Sequence, residues 1–416
     1  MRKGPLLWFF LCSILLLPSP AMSGGYDLLW THEFDMKNRP RLTRPVIAVD
    51  TVCVGSNQGM LHGLDTGNGK EKWSIPVKMF ESFSPLSSKG TRVFVGTKDG
   101  YITSVDGGKG KVSWNFLTGG DTRIAPVPVR EEVFGVTNYY DRKKMTWYGY
   151  LWRINEKTGE EIKRFVLQGN TIRTSPRISG THAYIVASDD TLYAVDMDEG
   201  KILWSFKRRQ APSNVYLIPE KSGGGVILQF PRYLYRVSGK GEYVWRYFTG
   251  GASLKPVLFE NTLYGGLRKK GKSRGSTEYL VAIDLDKGVE RWKVRMESPR
   301  GMPLISEGRL YLGTARGKMF AFDEKGGALL WEFTPVIDRK ETRRYKPLRH
   351  VKKIEAEYID DNNVYGWSEK GHLFAIDKKK GTQRWVFMNR DGLLKPLFNG
   401  GKIFISTRRG KTFAIR

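Results

Sequence analysis

Apolar and polar residues alternate along this chain in short runs. Arg92-Val-Phe-Val-Gly-Thr97, Tyr101-Ile-Thr-Ser-Val105 and Val112-Ser-Trp-Asn-Phe116 are each four to six residues long and are separated by glycine, aspartate or charged residues. Alternation over so short a length predicts strands with one face toward a core. The runs come in groups of four, and successive tryptophans fall at regular steps: 41 residues from Trp73 to Trp114, 41 from Trp204 to Trp245, and 39 from Trp292 to Trp331. A period of that length, filled by four strands, is the signature of propeller blades or of a solenoid.

An eleven-residue pattern marks the end of each period: a small residue, any residue, an acid, three more, Gly, three more, Trp. It is complete in Ala194 to Trp204 (Asp196, Gly200), Ala282 to Trp292 (Asp284, Gly288), Ala321 to Trp331 (Asp323, Gly327) and Ala375 to Trp385 (Asp377, Gly381). Weaker copies run from Gly63 through Asp65 to Trp73 and from Ser104 through Asp106 to Trp114. Two have drifted: Arg153-Ile154-Asn155 with Gly159 places Lys163 where Trp belongs, and Tyr235 to Trp245 is one residue short before Gly241. The acid-to-Gly stretch is read as the turn between third and fourth strands, because a short carboxylate can accept from backbone N–H groups just after it and Gly tolerates positive φ. The Trp then buries a large ring where neighbouring blades meet. With Trp30, eight of the twelve tryptophans take this structural position.

Trp30 joins the set through the way the chain ends. Lys402-Ile-Phe-Ile-Ser-Thr407 and Thr412-Phe-Ala-Ile-Arg416 supply a second and a third strand with no fourth, and Tyr26 to Phe34 reads as the missing one. Pairing the two ends closes the ring and removes exposed strand edges. The fold expected is all-β: a single closed β-propeller of four-stranded antiparallel blades, eight or nine in number, over residues 24–416.

The repeated Ala-x-Asp-x-x-x-Gly-x-x-x-Trp resembles the tryptophan-docking repeat of pyrroloquinoline-quinone-type propellers, over residues 26 to 416. That family includes quinoprotein alcohol and glucose dehydrogenases and cofactor-free scaffolds such as the BamB-like subunit of the outer-membrane β-barrel assembly machinery. The resemblance implies a propeller, usually eight-bladed, and leaves both functions open.

Residues 1–23 read as a cleaved secretory signal. Met1-Arg2-Lys3 is basic, Leu6 to Leu17 is apolar, and Pro18 to Ser23 ends in small residues. The apolar core is too short to span a bilayer. Cys12 lies inside that core rather than after it, so the lipid attachment that scaffold members of the family often carry is not expected. The location expected is the periplasm or cell envelope, with possible outer-membrane association. In the mature chain only Cys53 remains, within Thr51-Val-Cys-Val-Gly55, where it reads as a small buried hydrophobe.

No catalytic, cofactor or metal residues are assigned. The quinoprotein branch often sets its cofactor against a pair of adjacent cysteines and binds calcium, and this chain has no such pair. His32, His62, His182, His350 and His372 show no metal-ligand spacing, and neither a nucleophile elbow nor a phosphate-cradling glycine loop occurs.

Charge adds a further element. Lys and Arg number 69 against 42 Asp and Glu, a formal +27, which points to an anionic partner or surface. In a propeller the second-to-third turns and the blade connectors emerge on one face. Basic clusters fall there: Arg142-Lys143-Lys144, Lys207-Arg208-Arg209, Lys269 and Lys270 with Lys272 and Arg274, Arg339 with Arg343, Arg344 and Arg349, and Arg408-Arg409. The motif-turn residues Lys378, Lys379 and Lys380 lie on the opposite face and serve as a comparison. Loops on a rigid scaffold are common recognition sites. The expected function is a non-catalytic, monomeric, exported scaffold that presents this face to a protein partner, with an anionic membrane or lipopolysaccharide surface as a further candidate and nucleic acid excluded. The alternatives are a small quinoprotein-like dehydrogenase or ligand-binding propeller that uses the central funnel, and a secreted adhesin or sensor.

Overall fold

A computed structural model of the chain describes residues 25–35, 41–77, 86–97, 99–210, 212–218, 224–250, 255–270, 276–337 and 351–416. Among these residues there is no helix, and the strands form nine four-stranded antiparallel sheets. Blade 1 consists of Val46–Ala48, Thr51–Gly55, Met60–Asp65 and Glu71–Pro76. Blades 2 to 8 follow in order over 87–117, 127–168, 177–207, 214–248, 257–295, 299–333 and 355–388. Blade 9 takes Leu397–Asn399, Lys402–Ser406 and Lys411–Ile415 from the end of the chain and Leu28–Glu33 from its start.

First strands of adjacent blades lie beside one another, which places them innermost. Many are only three residues long, as in Ser87–Lys89 and Val127–Val129, because the blades converge on the axis. The sequence pattern of four-to-six-residue runs therefore shows the second, third and fourth strands of a blade better than the first. Second strands are sandwiched between two neighbouring sheets and are buried on both faces, as in Thr51–Gly55 and Val226–Gln229. Fourth strands at the rim alternate instead, as in Tyr243–Phe248. The core is accordingly a series of layers between blades: Cys53 and Leu61 of blade 1 pack on Val93 and Val105 of blade 2, and Phe134 and Leu151 of blade 3 on Ile185 and Val195 of blade 4.

The ring closes through the two chain ends. Trp30 pairs with Ala414 and His32 with Thr412, and Asp27 and Arg416 exchange backbone hydrogen bonds of 2.8 and 2.9 Å. The blade number left open by the sequence is nine, because both drifted copies build complete sheets, blades 3 and 5.

Each motif position has a physical function at the seam between blades. The Asp65 carboxylate accepts from the N–H groups of Gly67 and Asn68 at 2.8 and 3.0 Å. Asp106, Asp196, Asp284 and Asp377 do the same two and three residues on, and Asp323 accepts from Gly326. Those backbone donors hold the Asp196, Asp284 and Asp377 carboxyls below their ordinary pKa. The indole Nε1 then donates across the seam to a turn carbonyl of the next blade: Trp30 to Thr66 (3.2 Å), Trp73 to Gly107 (2.9 Å), Trp114 to Glu156 (2.9 Å), Trp204 to Gly239 (2.9 Å), Trp245 to Leu285 (2.7 Å), Trp292 to Glu324 (3.2 Å) and Trp331 to Lys378 (3.1 Å). The ring lies flat on the motif glycine of that turn. A Cβ on Gly110 would stand 2.4 Å from the Trp73 ring, and φ there is +67°, so both space and backbone require glycine. The small first residue of the motif is the cross-strand partner of Trp, as Gly63 is of Trp73 and Ala194 of Trp204. At the last seam Trp385 packs against Gly25 and the Tyr26 ring, so the start of the chain supplies the missing turn.

The seams are not equivalent. Trp30, Trp114, Trp245, Trp331 and Trp385 are buried, whereas Trp73, Trp204 and Trp292 are only half-buried. Trp204, whose repeat is complete in sequence, is thus not a core tryptophan.

Candidate interaction face

The cleanest feature of the connector face is a projecting hairpin in blade 3. Its second and third strands, Glu132–Asp141 and Thr146–Asn155, are ten residues each and pair to the tip. Asp141 closes the tip by accepting from the N–H groups of Lys143 and Lys144 at 2.9 and 3.1 Å. Tyr139, Tyr140, Met145 and Trp147 are all exposed there, Met145 at 77%. The Tyr140 and Trp147 rings pack on each other at 5.1 Å, and the Lys144 ammonium lies 5.8 Å over Tyr148. Exposed aromatic and methionine side chains clustered on a stiff element make this tip a candidate interaction site. Sequence reasoning found the basic tip through Arg142, Lys143 and Lys144 and missed the apolar residues flanking it, although Trp147 stood outside the docking motif.

The other basic clusters differ in how free their charge is. Lys207, Arg208 and Arg209 are exposed on the connector after blade 4. Arg408 and Arg409 sit in the second-to-third turn of blade 9 and pair with Glu369 (3.1 Å) and Asp391 (3.5 Å), carboxylates that Lys353 and Arg390 also approach. Lys269 and Lys270 lie at the end of a blade 6 strand, Thr262–Lys270. Lys272, Arg274, Arg339, Arg343, Arg344 and Arg349 lie outside the described residues. On the opposite face Lys378 is not the exposed motif-turn charge that the sequence suggests. Its side chain is 3% exposed, with Nζ on Glu307 at 2.8 Å, so only Lys379 and Lys380 are solvent-facing charges.

The opposite face also carries the mouth of the central funnel. A cavity of about 1210 Å³ there is walled by first strands of blades 5 and 6, with Arg177, Tyr216, Phe259, Glu260 and Met302 around it. Arg236 at its edge is tied to Asp286 at 2.8 Å. Among the described residues no cluster of His, Cys, Asp or Glu is placed to hold a metal ion. Cys53 is fully buried, and burial pushes its thiol up to about 12.

The sequence profile of the family described as outer membrane protein assembly factor BamB matches four overlapping stretches, residues 25–137, 125–254, 233–385 and 276–416. The chain belongs to that family. It is 25% identical to the outer membrane protein assembly factor BamB of Moranella endobia, over 97% of this chain and 94% of that protein. The quinohemoprotein alcohol dehydrogenase of Comamonas testosteroni is 27% identical over 30% of this chain, which covers 18% of that enzyme. In three dimensions the chain is similar to BamB from Moraxella catarrhalis, with a TM-score of 0.52, 12% identity and coverage of 94% of this chain and 98% of that one. At that identity the structural likeness speaks for the propeller fold.

Proposed function

We propose that this protein is a non-catalytic, exported propeller scaffold of outer-membrane protein assembly, and that it offers its connector face, centred on the blade 3 hairpin, to a protein partner. The carrying observation is the match to the BamB family along the whole propeller, from residue 25 to 416. The assembly factor BamB of Moranella endobia aligns over 94% of its length, whereas the quinohemoprotein relative aligns over 18% of its own. The exposed Tyr140, Met145 and Trp147 supply the apolar centre such a contact needs, and Arg142, Lys143 and Lys144 its basic rim.

Crosslinking in intact envelopes followed by mass spectrometry tests this reading. Wild type is expected to capture a component of the β-barrel assembly machinery, and Tyr140→Ser/Met145→Ser/Trp147→Ser to lose it without a change in melting temperature. Capture that survives those substitutions overturns the hairpin as the docking site. The second reading, a quinone-dependent dehydrogenase that uses the funnel cavity, predicts turnover of alcohols or sugars when quinone and calcium are added. Such turnover would sink the scaffold reading.

A further inference from the structure

Between blades 4 and 5 the rim opens a cleft of about 490 Å³. The connector that carries Arg208 and Arg209 forms one wall, and the blade 5 turn at Arg232 with the rim strand at Arg246 forms the other. Among the described residues none of these four guanidiniums is in an ion pair, in contrast to Arg153, Arg291 and Arg384. Three are held by rings instead. Arg208 lies 4.3 Å over Phe206 of blade 4 and 5.3 Å over Tyr235 of blade 5, Arg246 lies 5.5 Å over Tyr233, and Arg232 lies 5.5 Å over Phe248. A ring contact restricts a guanidinium and leaves most of its N–H groups available; of these, Arg208 Nη1 donates to the Lys207 carbonyl at 3.0 Å, and its other N–H groups remain to bind a ligand.

Four positive charges gathered on one cleft without carboxylates repel one another, and a ligand that concentrates two negative charges on one centre offsets that repulsion best. A phosphate does so, and its oxygens match the guanidinium fork in paired hydrogen bonds. The cleft is of small-ligand size and far larger than a phosphate ion requires. The remaining space is bounded by phenol rings, of which Tyr243 is 52% exposed and Tyr233 half-buried. Such rings offer a flat apolar surface to the C–H face of a sugar and hydroxyl groups at its edge.

We propose that this cleft binds a phosphorylated saccharide, with the phosphate on Arg208, Arg209 and Arg246 and the sugar ring against Tyr233 and Tyr243. The site lies on different blades from the hairpin and stands independently of the partner reading.

The test is a calorimetric titration of the full mature chain at physiological salt with glucose 1-phosphate, glucose and inorganic phosphate. Vesicles that carry a phosphorylated disaccharide lipid, compared with phosphatidylglycerol vesicles of equal charge, form a second arm. Saturable binding of the sugar phosphate, or of the glycolipid vesicles alone, is the expected result, and the arm that binds tells the free ligand from the lipid headgroup. Arg209→Gln and Arg208→Gln/Arg246→Gln should each weaken it at least about tenfold, the size of one lost charge-assisted hydrogen bond. Lys379→Gln/Lys380→Gln should leave it unchanged. Arg209 makes no stacking contact, so its single variant keeps the test valid if the double variant unfolds. Any of four results overturns the proposal: no binding in either arm, inorganic phosphate binding as tightly as the sugar phosphate, equal weakening by the Lys379 and Lys380 changes, or preference for a glutamate-rich peptide.

Discussion

The aliphatic stem of Lys163 stands over Gly200 in the place that a tryptophan ring takes at the neighbouring seams; its Cε would be 3.3 Å from a Cβ on that glycine. Blade 3 thus meets blade 4 through methylene groups. The cross-strand partner of Lys163, Arg153, bonds Glu132 of its own blade at 2.7 Å and also reaches Asp198 of blade 4, so an ion pair spans a seam that indole rings span elsewhere. Lys163→Trp is expected to fill the seam and raise stability by about 0.5–2 kcal/mol, as cavity-filling changes commonly do. A thermal melt checks it. A fall in melting temperature would show that Arg153 already occupies the space.

Trp245→Ala should cost about 3–5 kcal/mol, since it empties a buried indole site and leaves the Leu285 carbonyl to Arg236 alone, which donates to it at 2.7 Å. Trp204→Ala should cost clearly less because that ring is half-buried. Urea denaturation of both variants measures the difference, and equal losses would mean that burial does not rank the seams.

Removal of residues 411–416 deletes the third strand of blade 9 and exposes edges on Leu28–Glu33 and Lys402–Ser406. The melting temperature should fall far more than truncation of a mobile tail allows. An unchanged melt would show that the ends do not hold the ring.

Acid should loosen the seam between blades 9 and 1. His62 and His32 both face Glu71, at 3.6 and 3.9 Å, with the Phe34 ring between them and Ser74 bonded to His62. Burial is the largest influence on His62 and sets its pKa below the ordinary 6.5 despite Glu71. The unfolded chain therefore binds the proton first, and stability present above 6.5 is lost as pH falls below it toward the folded value. Melts on acidification from neutral pH should drop more for wild type than for His62→Gln. Parallel curves would remove His62 as the cause.

Lys378→Ala should destabilise by about 1–3 kcal/mol, through loss of a buried stem and of the bonds its ammonium makes to Glu307 and the Asp360 carbonyl. Lys379→Ala should be near neutral. Chemical denaturation of the pair decides it, and similar effects would mean that the burial of Lys378 carries no energy.

What could be read from the sequence was encoded within one turn. An aspartate that accepts from the N–H groups two and three residues on, a glycine at positive φ and a ring-bearing residue at fixed spacing specify blade ends locally, and the half-blade at the end of the chain with the lone strand near its start indicated a closed ring of eight or nine blades. What could not be read depends on contacts between distant segments. Lys378 looks like a surface lysine until Glu307, 71 residues earlier, is brought to it. Arg408 looks free until Glu369 arrives from blade 8. The cleft was hidden because Arg232 and Arg246 sit among strand aromatics that read as ordinary rim residues, and only the approach of the Arg208 connector from blade 4 makes a wall of them.

Pairing Leu28–Glu33 with Lys411–Ile415 also sets an order of assembly. A segment that precedes every other blade strand is among the last to find its partner, so blade 9 cannot exist until Lys411–Ile415 has been made. Bringing ends so distant together carries a loop-closure cost that earlier blade contacts must reduce by organising the arc between them. Until then the arc has two open edges, one at each end, and an incomplete ring is the form most exposed to aggregation and proteolysis. A cell that makes this protein needs either rapid stacking of blades 1 to 8 or a factor that guards those edges, and a pulse-labelled chain should become protease-resistant in one late step.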